Sequence, residues 1–248
     1  MSGSRAATVP SLLAGPWDRQ RQATAVERRG VSEFRAVLFD MDGVLVDTES
    51  HWHELWESAV FSDAIDGEPS RDDVRGRSYP ESIADLEANY GLDRDMAYYE
   101  ELLEERAIDL YGEEADADTA VHELFEFVRE RGLPVGIVSS ARGDWIQAVV
   151  DRFDLDPLDV QLSAFDAPGE GKPAPDVYEH AAAQLGLDPS ECVVIEDSTN
   201  GVRAASAAGA TVIRFALGED VELAEADYVA TDAAELERIL GELLDGDS

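Results

Sequence analysis

Lysine and cysteine are almost absent: one of each, Lys172 and Cys192, in 248 residues. A single cysteine excludes an intramolecular disulfide and fits a reducing compartment. Basic residues of any kind are scarce, 19 against 55 acidic, for a formal net charge of −36. Nucleic acids demand the opposite sign, so no nucleic-acid partner is expected. No apolar run approaches the ~20 residues that span a bilayer. A basic start followed by a long apolar segment, the pattern of a secretory signal, is missing as well. These absences together predict a cytoplasmic chain with no membrane partner.

What is present is an ordinary apolar content, 44%, in a chain long enough for one α/β domain with an insertion or for two small domains. The acidic excess with little lysine resembles proteins of salt-loving organisms, whose surfaces work where screening lengths fall to ~3 Å. A halophilic, haloarchaeal source is the expectation.

Residues 1–30 differ from the rest. They hold Arg5, Arg19, Arg21, Arg28 and Arg29 against Asp18 and Glu27, without a helical or strand period. They read as a disordered tail, or as an extension upstream of a true start at Val31. Residues 31–48 and 117–248 read as one core domain, and residues 49–116 as a helical insertion. Within the insertion, 51–61, 81–90 and 93–111 carry apolar residues at helical spacing, with no Val/Ile-rich run between them.

Elsewhere strands and helices alternate. Apolar runs at 36–39, 135–138, 160–162, 192–195 and 211–215 read as strands, with a short edge strand at 228–230. Amphipathic helices are expected over 118–131, from 146 to 153, and over 176–186, 199–208 and 233–244. Repeated βα units require a parallel sheet with helices on both faces. The predicted fold class is therefore α/β, a doubly wound parallel sheet. No extended apolar stripe is left over, so a monomer is expected.

Four features fall where such strands end, the rim at which α/β proteins bind ligands. They are Asp40 with Asp42, Ser139 with Ser140, Lys172, and Glu196 with Asp197. Each has a plain alternative. Asp-x-Asp-Gly can be a turn, paired serines a helix N-cap, a lysine before proline a solvated side chain, and Glu-Asp a favourable charge at a helix start. Their conjunction, in this order, favours a shared site. Lys172 adds its own signal, since a composition that avoids lysine has kept one here. Arginine's planar fork does not replace a compact ammonium between two anions.

Asp40-Met41-Asp42-Gly43-Val44-Leu45-Val46-Asp47-Thr48 resembles the first motif of the haloacid dehalogenase (HAD) superfamily, and Ile137-Val138-Ser139-Ser140 the second. Gly171-Lys172-Pro173-Ala174-Pro175-Asp176 resembles the third, and Val194-Ile195-Glu196-Asp197-Ser198-Thr199-Asn200-Gly201 the fourth. The resemblance covers residues 34–243. It is to the branch holding β-phosphoglucomutase, phosphoglycolate phosphatase and sugar-phosphate phosphatases, whose small helical cap the insertion resembles.

That resemblance implies a Mg²⁺-dependent phosphatase acting on a small phosphorylated metabolite. Asp40 would attack phosphorus and become an aspartyl phosphate, and Asp42 would act as general acid and then base. Ser139 and Ser140 would bind phosphate, Lys172 would pair with Asp40 and the phosphoryl group, and Asp40, Asp42 through its carbonyl, Glu196 and Asp197 would surround the metal. A mutase of the β-phosphoglucomutase kind is the alternative. The arginine that such mutases place in the cap loop is here Tyr79, after Arg75 and Arg77. Their first-helix histidine is replaced by Trp52, and their serine and lysine after the second motif by Ala141 and Arg142. Arg75, Arg77, Tyr79, Trp52 and Arg142 are thus the candidate substrate contacts. A non-enzymatic phospho-acceptor signalling domain also uses an acidic cluster and a lysine, but needs neither a cap nor Asp42. His51 and His53, two apart on a helix, make a poor metal pair.

Overall fold

Strand β1 (Ala36–Phe39) is buried on both faces, as four consecutive apolar residues require. The computed structural model describes residues 34–74, 78–117, 119–216 and 226–246. The expectations for residues 1–30, for a start at Val31, and for Arg75 and Arg77 fall outside that set.

After β1 the chain forms β2 (Val46–Asp47) and enters three helices: α1 (Glu49–Ala59), α2 (Tyr79–Tyr90) and α3 (Met96–Asp109). It returns through one wider helical turn, Leu110–Glu114, to β3 (Asp116–Ala117). β2 and β3 pair antiparallel, Val46 with Ala117 and Asp47 with Asp116, so entry to and exit from the helical insert lie side by side. Two strands of two residues leave no periodic trace in a sequence, which is why neither was expected. Helix α2 starts two residues earlier than predicted. There the Glu81 carboxylate accepts from both the Ser78 amide and its hydroxyl, satisfying groups at the helix start.

The remaining chain alternates: α4 (Thr119–Arg129), β4 (Val135–Ser139), α5 (Gly143–Phe153), β5 (Val160–Ser163), α6 (Asp176–Gln184), β6 (Cys192–Glu196), α7 (Thr199–Ala208), β7 (Thr211–Phe215), β8 (Tyr228–Ala230) and α8 (Ala233–Asp245). Strand order is β5-β4-β1-β6-β7-β8, every pairing in this sheet parallel. The fold is the expected α/β type, a doubly wound parallel sheet between helical layers.

Alternation along the strands sorts the core into two layers. Val37, Phe39, Ile137 and Ile195 face α4, α5 and α8, with Phe39 stacked on Phe125 at 4.5 Å between ring centres. Such a pair contributes about 1 kcal/mol beyond its area. Leu38, Val138, Val194 and Val212 face the alanine-rich α6 and α7. Small side chains on α7 let it lie close to the sheet, and Gly201 is the tightest point, where a Cβ would collide with the Glu196 carboxylate. The order in which strands are added reverses about β1, so the carboxyl ends of β1, β4 and β6 open onto one crevice, as doubly wound sheets place it.

Candidate active site

Asp40 is the first residue beyond β1, and its amide donates to the Ile195 carbonyl of β6 at 2.9 Å. The backbone then turns sharply at Gly43, φ +77°. A side chain there would be strained by that conformation and would also strike the Asp197 carboxylate. The turn therefore brings Asp40 and Asp42 up against the residues that end β6.

Lys172, on the loop after β5, is 4% exposed. Its Nζ donates to Asp40 Oδ1 at 2.8 Å, to Glu196 Oε1 at 2.6 Å and to the Val138 carbonyl at 3.2 Å. Burial alone would lower the ammonium's pKa, but the Asp40 and Glu196 carboxylates outweigh it and hold it well above its usual value. Glu196 is fully buried and also accepts from Tyr178 Oη at 2.6 Å and from Ser198 Oγ at 3.2 Å. Both its oxygens are thus engaged from behind the crevice.

Asp40, Glu196 and Asp197 offer carboxylate oxygens within 4.8 Å of one another. One ammonium does not balance three buried or half-buried carboxylates. Asp40 shows this: burial first, then the Glu196 charge, push its pKa well above the carboxylate range despite Lys172. A hard divalent cation with oxygen ligands fits such a donor set. The glycine at position 43 keeps clear the space that Asp197 occupies.

Asp42 stands apart from that cluster. Its Oδ1 accepts from Thr48 Oγ1 at 2.5 Å and from Tyr111 Oη at 2.8 Å. Burial raises its pKa, partly offset by these two donors. Tyr111 is itself raised well above its ordinary value, by burial and then by Asp42, and so stays protonated. Ser139 lies at the end of β4, where its Oγ accepts from the Ala141 amide at 3.0 Å. It and Ser140 line the same cleft, of about 150 Å³, as Asp40, Asp42, Lys172 and Asp197.

The other wall comes largely from the helical insert and is aromatic. Trp52 and Trp56 of α1 and Tyr79 of α2 line it, with Trp145 reaching up from α5 of the sheet domain. Trp145 meets Tyr79 at 5.3 Å, Tyr111 at 5.6 Å and Trp52 at 5.9 Å. Tyr79 Oη donates to Glu104 Oε1 at 2.5 Å, and Arg142 Nη1 donates to the same oxygen at 3.0 Å, tying insert to core. Burial and the Glu104 contact raise the Tyr79 hydroxyl to about 12.

The structure thus brings together Asp40, Asp42, Ser139, Ser140, Lys172, Glu196 and Asp197, with Trp52 and Tyr79 opposite, whereas Arg142 does not line the cleft and pairs with Glu104 and Asp144. His53 pairs with Glu57 at 3.2 Å along α1. Four contributors were not singled out as site residues from sequence. Tyr111, Trp145 and Tyr178 sit at helical apolar positions indistinguishable from packing residues, and Glu104 is one acid among 55. The one signal the sequence offers is Trp145, a lone tryptophan five residues after the second motif.

Comparison with known proteins agrees with this geometry. The profile of the haloacid dehalogenase-like hydrolases matches residues 34–209. Validoxylamine A 7'-phosphate phosphatase of Streptomyces hygroscopicus subsp. limoneus is 30% identical over 215 residues, covering 82% of this chain and 96% of that one. Hexitol phosphatase B of Escherichia coli K12 is 34% identical over 190 residues, 70% and 79% of the two chains. Among solved structures, CbbY from Rhodobacter sphaeroides in complex with phosphate superposes with a TM-score of 0.68 at 26% identity, over 82% of this chain and 96% of that one. Relatives bearing the β-phosphoglucomutase name also match. The chain belongs to the haloacid dehalogenase-like hydrolase family.

Proposed function

We propose that this protein is a Mg²⁺-dependent phosphatase of a small phosphorylated metabolite, working through an aspartyl phosphate on Asp40. The observation that carries the reading is the convergence of Asp40, Lys172 and Asp197 in one cleft with Asp42 beside them. A phosphate monoester resists attack by a carboxylate because both are anionic, so positive charge must be concentrated at the site. Lys172 supplies one such charge. Asp40, Asp197 and the Asp42 carbonyl would hold Mg²⁺, which when bound supplies further charge to the phosphoryl oxygens. Glu196, saturated by Lys172, Tyr178 and Ser198, orients the lysine.

In the first step an Asp40 oxygen bonds to phosphorus, the P–O bond of the ester breaks, and Asp42 gives its proton to the departing oxygen. In the second, water attacks the aspartyl phosphate, Asp42 takes the water's proton, and inorganic phosphate leaves with Asp40 restored. Ser139 and Ser140 lie where β4 meets α5 and would hold phosphate oxygens there. The helical insert acts as a cap that selects the leaving group. Its aromatic lining, together with relatives named for hexitol and validoxylamine phosphates, supports a polyhydroxylated leaving group. We place the enzyme, as a monomer, in a salt-rich cytosol.

A mutase reading gains nothing from the cap residues: the Tyr79 hydroxyl is engaged by Glu104, and the indole nitrogen of Trp52 by Tyr111. The test is phosphate release from p-nitrophenyl phosphate and from a panel of hexitol phosphates, sugar phosphates and phosphoglycolate. Release with Mg²⁺, lost with chelator and lost by at least ~10³-fold in Asp40→Asn, is expected. A stable phospho-Asp40 without turnover would instead mark a signalling receiver. Conversion of β-glucose 1-phosphate to the 6-phosphate faster than phosphate release would mark a mutase.

A further inference from the structure

Three side chains from the two ends of the helical insert are linked to one oxygen of Asp42. Thr48, just ahead of α1, donates to Oδ1 at 2.5 Å. Tyr111, in the turn that leaves α3, donates to the same atom at 2.8 Å. Trp52 of α1 donates its indole N–H to the Tyr111 oxygen at 3.0 Å.

The direction of this chain of donors is set by chemistry. An indole nitrogen can only donate. The Tyr111 oxygen must therefore accept from Trp52, and its single proton is left to point at Asp42. Thr48 Oγ1 donates its single proton to the same atom. With two donors on Oδ1, any proton that Asp42 exchanges with a substrate must sit on Oδ2.

Tyr111 is also fixed on its other sides. It is 1% exposed, its ring is stacked on Trp145 of α5 at 5.6 Å and 25°, and its carbonyl accepts from Arg152 Nη1 at 3.4 Å. The hydroxyl is therefore held by the sheet domain at ring and backbone, and by the insert through Trp52.

We infer that Tyr111 is a positioning residue for the acid–base carboxylate: its hydroxyl, oriented by Trp52, holds Asp42 with Oδ2 toward the leaving oxygen. This inference rests on the proposed phosphatase chemistry. It adds that the orientation of the acid is set by Trp52 and Tyr111 rather than by Asp42 alone.

The test uses the leaving group. p-Nitrophenolate departs without a proton, whereas the alkoxide of a sugar or hexitol phosphate needs one. The ratio kcat/KM covers only the steps up to formation of the aspartyl phosphate, so it isolates the acid role of Asp42 from its later role as base. kcat/KM is measured in Mg²⁺ for p-nitrophenyl phosphate and for whichever sugar or hexitol phosphate is turned over fastest. The proteins are wild type, Tyr111→Phe, Trp52→Phe and, as reference, Asp42→Asn. Tyr111→Phe keeps the ring on Trp145 and removes only the hydroxyl.

Expected are a ~10–100-fold loss on the alkyl phosphate and a change within about twofold on p-nitrophenyl phosphate. Trp52→Phe, which keeps the Tyr111 hydroxyl but not its orienting donor, should show the same split at about fivefold. If Tyr111→Phe fails to fold, the Trp52→Phe split decides the matter when read in the single-turnover rate at saturating substrate, where a lost substrate contact, which raises KM, does not show. Equal losses on both substrates would mean that Tyr111 serves packing alone, and no loss on either would mean that Asp42 is positioned without it; each overturns the inference. A split in Asp42→Asn without one in Tyr111→Phe would overturn it while leaving the phosphatase reading intact. Inactivity of the wild type on both substrates would remove that reading and this inference together.

Discussion

Lys172 lies closer to Glu196, at 2.6 Å, than to Asp40, at 2.8 Å. The one lysine of the chain is thus shared between a carboxylate at the reacting face and a carboxylate behind it. Its ammonium has three protons and three acceptors, the third being the Val138 carbonyl. That arrangement leaves no slack for a larger cation.

Lys172→Arg should therefore fail although it keeps the charge. A guanidinium is planar and longer, and it cannot place one point charge between Asp40, Glu196 and a backbone carbonyl. Phosphatase activity is expected to fall by ~10²–10³-fold. Glu196→Gln should be milder, because the amide oxygen can still accept from Lys172 and Tyr178. Weakened backing of the acidic cluster is expected to lower Mg²⁺ affinity by ~10–100-fold, read by calorimetric titration. Wild-type rates in Lys172→Arg would show that position 172 needs only charge.

Asp42→Asn should stabilise the metal-free protein while removing turnover of alkyl phosphates. The Asp42 carboxyl is raised above its ordinary value by burial, so its charged form is disfavoured in the fold. That penalty is fully present above the folded-state pKa and disappears as pH falls below the unfolded-state pKa. Thermal unfolding in chelator should accordingly show the variant above wild type at pH 8, with the two converging toward pH 4. A variant less stable than wild type at pH 8 would contradict this. The stabilising effect of removing a functional carboxylate reflects the usual trade between stability and activity.

Trp145→Ala should loosen the insert from the sheet domain. The indole is 4% exposed and touches Trp52, Tyr79 and Tyr111, all from the insert. Truncating a buried tryptophan costs about 3 kcal/mol or more. The denaturant midpoint should drop accordingly, and protease cleavage within 49–116 should accelerate ahead of cleavage in the sheet domain. Unaltered protection of the insert would mean that Trp145 does not hold it.

Concentrated salt should raise the melting temperature. A net charge of −36 in 248 residues repels itself unless screened. Screening lengths shrink from ~10 Å at 0.1 M to ~3 Å at 1 M. Melting followed by circular dichroism should therefore move up between dilute buffer and molar KCl. Equal melting in both would argue against an enzyme built for a salt-rich cytosol.

Composition and periodicity specified the α/β class and put four candidate positions at strand ends. Apolar runs such as 36–39 and 192–195 are buried on both faces, and the residue after a parallel strand must lie at that strand's carboxyl end. That puts Asp40, Ser139 and Asp197 on one rim, and the strand order β4-β1-β6, a tertiary fact, makes them neighbours. Which side chains hold them depends on long-range contacts. Tyr111 meets Asp42 across 69 positions of sequence, and Trp52 meets Trp145 from a different layer of the fold. Neither contact leaves a local period, because each depends on the insert returning beside its own entry through β2 and β3, strands of two residues apiece. A buried aromatic in a helix looks the same in sequence whether it fills a core or orients a carboxylate. Only the hydrogen bond made by its polar end tells them apart, and that bond exists once the chain has closed.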